Sequence, residues 1–168
     1  MRKCLVFGLL LLCYLASAAW SAQTLKLLED TAVTPGTASL NNIGSNGFTV
    51  ESAVIANTNN YPRCRVTLVF KWTTTTTPTT GAAAYVWFMQ TTDGTNYATS
   101  PTSAITTGTP SISIPIPTGT GTNTSRAIGE GYCPPGGFTL KIQLNSTGQT
   151  TDTTGNTISV RPYTIQMQ

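Results

Sequence analysis

Between Phe138 and Leu144 the chain alternates without a break: Phe138, Leu140, Ile142 and Leu144 are apolar, while Thr139, Lys141 and Gln143 are polar. A period of two marks a β-strand with one buried and one wet face, because successive side chains on a pleated strand point to opposite sides. The pattern returns at Thr157–Arg161, where Ile158 and Val160 stand between polar neighbours. Two such strands cannot bury their apolar faces alone, so the rest of the chain has to supply a second layer.

Two segments answer that need. In Arg65–Trp72, Val66, Leu68, Phe70 and Trp72 share one face, and Arg65, Thr67, Val69 and Lys71 take the other. Ala83–Gln90 is apolar on both parities, which predicts a central strand covered on both sides or one placed at an oligomer contact. Ser111–Pro117 alternates through Ile112, Ile114 and Ile116, but Pro115 and Pro117 lack an amide hydrogen, which sends this strand to a sheet edge. Ser125–Cys133 reads as a strand weakened by Gly129 and Gly131, and Leu25–Leu28 as a short edge strand. Gly47–Ala56 reads as a strand with Phe48, Val50 and Val54 inward and a bulge near Ser52.

Threonine fills 34 of 168 positions, and Gly, Pro, Asn and Ser occupy most gaps between apolar runs. Such a chain favours short strands and turns over helices. Thr73–Thr80 then reads as a hairpin loop, and Pro134–Gly137 as the turn into the Phe138 strand. The expected fold is all-β, a two-layer antiparallel sandwich of about eight or nine strands, jelly-roll or Ig-like.

The N-terminus has the order of a secretory signal peptide. Arg2 and Lys3 precede an apolar run from Cys4 to Leu15, too short to span a bilayer, and small residues follow. Residues 1–18 are read as the signal, with cleavage after Ala18 or Ala19, and 19–168 as a single sandwich domain with no membrane attachment once the signal is removed. Two of the nine Lys+Arg lie in that segment, which leaves a nearly neutral balance against six Asp+Glu. Nucleic acid, which needs a basic stripe, is not an expected partner.

Cys4 and Cys13 leave with the signal. The remaining pair, Cys64 and Cys133, is read as a disulfide, which an oxidising compartment favours.

The chain has no histidine, which rules out Ser-His-Asp and Cys-His catalysis. With two mature cysteines a zinc site has too few ligands, and no metal or other cofactor is expected. The carboxylates that a glycosidase would need are Glu29, Asp30, Glu51, Asp93, Glu130 and Asp152, which sit in turns or on wet faces with no flanking aromatic cleft. The chain is therefore read as no enzyme. Sugar binding asks for exposed rings and a few polar groups, and Tyr85, Trp87, Tyr97 and Tyr132 are the residues offered for ligand or partner contact. Trp72 and Trp87, beside Phe70 and Phe88, read first as core.

Two stretches carry a family resemblance. TLVFKWTTTTTPTTGAAAYVWFMQTTDGTNYA (Thr67–Ala98) and PPGGFTLKIQLNSTGQTTDTTGNTISVRPY (Pro134–Tyr163) resemble small structural proteins of tailed bacteriophages and prophages. The resemblance spans Arg65 to Tyr163 and implies a virion component, a head-decoration or tail-associated β-sandwich that binds other virion proteins. The signal peptide and the cysteine pair depart from that pattern, since virions assemble in the cytosol. Three readings stand open: a virion structural protein assembling with itself or other virion proteins through faces such as Ala83–Gln90, a secreted carbohydrate-binding module, and an adhesin-like surface subunit with an unpaired strand groove. The corresponding locations are the virion, or the periplasm or cell exterior if the signal is processed.

Overall fold

The computed structural model describes residues 25–35, 39–49, 51–75, 78–90, 109–118 and 123–167. Its elements are β1 (Leu25–Glu29), β2 (Ile55–Asn57), β3 (Arg63–Lys71), β4 (Ala83–Gln90), β5 (Ile112–Pro115), β6 (Thr124–Tyr132), β7 (Gly136–Asn145) and β8 (Thr157–Met167). They form two four-stranded sheets, β1-β8-β3-β6 and β2-β7-β4-β5. All the registered pairs are antiparallel. That order is the jelly-roll alternation, in which successive strands mostly cross from one sheet to the other. The sandwich is all-β, and of the two expected topologies it is the jelly roll rather than the Ig-like one.

The chain divides into two compact units. The described residues between 29 and 164 make the larger, and residues 25–28 with 165–167 belong to the smaller. Within the larger unit the segment after β1 stays on β8: the Asp30 amide donates to Pro162 O at 3.0 Å, and Val33 exchanges two bonds with Val160. The core of this unit fills the space between the sheets with Val66, Leu68, Phe70 and Trp72 from one side and Ala84, Val86, Leu140, Ile142 and Leu144 from the other, all at most 1% exposed. Phe70 and Trp72 stack with centroids 5.2 Å apart, and the Trp72 indole donates to Ser125 Oγ at 3.0 Å.

Cys64 and Cys133 form a disulfide, with Cα atoms 4.8 Å apart and a sequence separation of 69. The bridge ties the start of β3 to the residue just after β6 within one sheet. The Cys133 amide also donates to Pro62 O at 3.0 Å.

The structure changes several expectations. Thr73–Thr80 does not close a hairpin, because β3 and β4 lie in different sheets. Both edges of β3 are occupied by β6 and β8, so no edge is left for β4. The connection instead runs beside the β7–β8 loop, with Thr73 N bonded to Thr150 O and Thr79 N to Thr147 O.

In the Gly47–Ala56 segment the inward residues are Thr49, Ser52 and Ile55, while Val54 is 54% exposed. The regular strand shrinks to β2 because side chains replace carbonyls as ladder acceptors. Ile142 N donates to Thr49 Oγ1 at 3.0 Å, and Leu140 N to Ser52 Oγ at 2.9 Å. Phe48 consequently lies on the outside of the sheet, and Val50 is outside the described residues.

Gly129 and Gly131 do not weaken β6. A Cβ at Gly129 would sit 2.4 Å from Ile114 Cγ1, and one at Gly131 would sit 2.6 Å from Ile112 Cγ1. The absent side chains let β5 close the sandwich against β6. Every described strand is paired within its sheet, so the unpaired groove of an adhesin-like subunit is not found among the described residues.

Candidate functional site

Alternation leaves the second side of β3, β6 and β8 outside the core. Along β3 the outward residues are Arg63, Arg65, Thr67, Val69 and Lys71, and the registers assemble rows across three strands. Tyr163, Arg63 and Tyr132 make the first row; Arg161, Arg65 and Glu130 the second. Ser159, Thr67 and Ile128 follow, then Thr157, Val69 and Arg126. Successive rows are about 7 Å apart, two residues of strand rise.

Arg65 and Arg161 face each other directly, and like charges in that position are destabilising. Glu29 offsets the repulsion by accepting from both: its Oε1 lies 3.0 Å from Arg65 Nη1 and its Oε2 lies 2.6 Å from Arg161 Nη1. Glu130 holds the other side. Its Oε1 accepts from Arg65 Nε at 2.8 Å, and its Oε2 accepts from the Tyr163 hydroxyl at 2.7 Å. The Arg65 guanidinium also lies 5.3 Å from the Tyr163 ring centroid. The Tyr163 hydroxyl, then Arg65, holds the Glu130 carboxyl below the usual carboxylate range. Burial, then the bond to Glu130, pushes Tyr163 up. The hydrogen bond to Glu130 raises Arg65.

Two clefts open on this face. One, of about 330 Å³, is lined by Arg65, Thr67, Arg126, Ser159 and Arg161. The other, of about 300 Å³, is lined by Pro62, Arg63, Glu130, Gly131 and Tyr132. Arg65 lines the first and its partner Glu130 the second, so one ion pair borders both. Tyr132 is 65% exposed, a ring standing free beside charged, planar groups. A carboxylate held ionised, as Glu130 is, makes a poor general acid. The face offers hydrogen-bond donors and a ring, which is equipment for binding.

The outer side of β4 and β7 is different. Trp87 and Met89 are 9% and 5% exposed, and Thr139 and Lys141, expected on a wet face, are buried as well. Phe48 explains part of this: its ring lies 6.5 Å from Trp87 and 5.4 Å from the Lys141 ammonium. Thr139 donates to Glu51 at 2.6 Å. Tyr85 meets Trp87 edge-on at 6.1 Å. The Trp87 indole nitrogen is buried without a hydrogen-bond partner among the described residues.

Of the four aromatic residues offered from sequence, the structure brings Tyr85 and Trp87 together on this closed face. Tyr132 stands on the opposite sheet, and Tyr97 lies outside the described residues. Trp72 and Trp87 are both buried, so no tryptophan platform is exposed among the described residues. Ala83–Gln90 is a central strand between β7 and β5, mostly buried on both sides, with Tyr85 and Phe88 half-buried and Gln90 exposed. Among the described residues no group of three or more His, Cys, Asp or Glu is placed to hold a metal ion; Asp152 is instead paired with Lys71 at 2.8 Å. Sequence reasoning missed the arginines of the open face. Arg65 and Arg161 carry the right parity, but nothing in their spacing says that β6 and β8 flank β3.

No protein-family model matches this chain, and no curated protein is significantly similar to it. Among solved structures, a carbohydrate-binding module of family 35 from Cellvibrio japonicus Abf62 is 14% identical, with 86% of this chain and 97% of that chain covered and a TM-score of 0.37. A second, "Xyl-CBM35 in complex with glucuronic acid containing disaccharide", is 13% identical over 84% of this chain and 96% of that chain, with the same TM-score of 0.37.

Proposed function

We propose that this protein is a non-catalytic, exported glycan-binding module that holds sugar on the outer face of β8, β3 and β6. The observation that carries the reading is the free Tyr132 ring beside a cleft walled by Arg63 and Glu130. A pyranose ring turns an apolar face to an aromatic side chain and its hydroxyls to planar charged groups at the edge. The Cys64–Cys133 bridge supports export, because such bonds persist in oxidising compartments. A glycan array probed with the full chain tests the reading. Binding to a defined set of sugars that is lost in Tyr132→Ala is the expected result, and silence across the array contradicts it.

The second reading is assembly in a virion, as the phage resemblance of Thr67–Ala98 and Pro134–Tyr163 implies. Ile128, 49% exposed, and Tyr132 favour it, since they lie on an edge strand that a second copy can pair with. Light scattering separates the two: a monomer that binds sugar supports the first, and regular oligomers that bind none support the second.

A further inference from the structure

We infer that the cleft lined by Arg65, Arg126 and Arg161 selects an anionic sugar residue, so that the ligand is an acidic polysaccharide; this rests on the glycan-binding reading above. Each guanidinium carries five N–H donors. Arg65 uses one on Glu29 and one on Glu130, and Arg161 uses one on Glu29. The Arg126 side chain makes no ion pair or hydrogen bond with a described residue. The hydroxyls of Thr67 and Ser159 stand opposite each other on the cleft floor and are also unengaged. The cleft therefore presents free donors from three arginines and two hydroxyls, and both neighbouring carboxylates are already used by arginine.

The balance of charge points the same way. Three cations line the cleft and two carboxylates border it, which leaves an excess of positive charge for a ligand to neutralise. Guanidinium is the side chain suited to planar, two-pronged recognition of a carboxylate, and it serves a sulfate by the same donors. At about 330 Å³ the cleft lies at the lower end of small-ligand sites, the size for one charged residue rather than a long anion. The Tyr132 cleft is on the same face, a few rows along, where it can take the neighbouring uncharged ring. An alternation of anion and apolar ring face is the chemistry of an acidic polysaccharide. A nucleic acid needs a run of phosphate contacts, whereas the arginines here are interleaved with Glu29 and Glu130.

The test is isothermal titration of the full chain with polygalacturonate, dextran sulfate, neutral xylan and a single-stranded oligonucleotide. Polygalacturonate or dextran sulfate is expected to bind about tenfold or more tighter than xylan, with affinity falling as salt rises. The carboxylate and sulfate arms identify which anion the cleft prefers. Arg126→Ala is expected to weaken the acidic ligand about fivefold or more at an unchanged melting temperature, and Arg126→Lys to recover part of that loss. Equal affinity for xylan and the acidic polymers would overturn the anion assignment while leaving glycan binding in place. Failure to bind any polysaccharide would overturn the glycan reading itself. Tightest binding to the oligonucleotide would overturn both.

Discussion

The two sheets present opposite outer faces built from the same alternating code. On β4 and β7 the residues that point away from the core are buried again: Trp87, Met89, Thr139 and Lys141 are all less than one-tenth exposed. On β3, β6 and β8 they are half-buried or exposed apart from Tyr163, and ionic groups fill the rows. One face acts as a second, smaller core, and the other is a surface organised by Glu29 and Glu130. The difference teaches that a polar residue at a wet parity is free for recognition only if no further layer lies over it.

The largest test of that contrast compares one aromatic from each face. Trp87→Ala is expected to cost about 3–5 kcal/mol, as for a large buried side chain, whereas Tyr132→Ala is expected to stay within about 0.5 kcal/mol, as for a surface substitution. Urea unfolding of both variants measures this, and equal costs would erase the distinction between the faces. The sheet that carries the open face is also the one spanned by the disulfide, on its core side. Replacing Cys64 and Cys133 by Ala together is expected to lower stability by roughly 4 kcal/mol, the loop-closure entropy of a crosslink of this span, read from the same denaturation curves.

At the closed β5–β6 edge, Gly129→Ala puts a methyl group into Ile114 and is expected to cost about 1–3 kcal/mol, as in overpacked cores. A neutral outcome in a thermal melt would mean that the sheets are not pressed together there.

The smallest effects belong to the ionic rows. Glu29→Gln leaves Arg65 and Arg161 facing each other with the shared carboxylate gone, and a loss of up to about 1 kcal/mol is expected. Glu130 adds a pH signature. Its carboxyl is depressed in the fold, so its contribution is fully present above the unfolded value of about 4.3 and is lost as pH falls through the lower folded value. A series of melts from pH 6 downward should show a fall below that range that is smaller in Glu130→Gln.

Much of the fold was legible because apolar parity is a local property. Val66–Trp72, Phe138–Leu144 and Ile158–Val160 each announce their buried face, and Pro115 places β5 at an edge before any pairing is known. What was not legible depends on long-range register. Thr73–Thr80 looks like a hairpin until both edges of β3 are seen to be taken. Gly129 and Gly131 look like weak points until Ile112 and Ile114 are found against them. Thr49 and Ser52 look outward-facing until their hydroxyls are seen to accept ladder bonds from β7. The candidate site belongs to this second class: Arg65, Arg126 and Arg161 are separated by many residues and meet only because β6 and β8 pair on either side of β3.

The claim that the open face is the binding surface is tested most directly by mapping amide and side-chain NMR shifts of the full chain on titration with polygalacturonate. The account predicts perturbations at Arg65, Arg126, Tyr132, Ser159 and Arg161 with Tyr85 and Trp87 unmoved. Shifts centred on Tyr85 and Trp87, with the arginine rows silent, would contradict it.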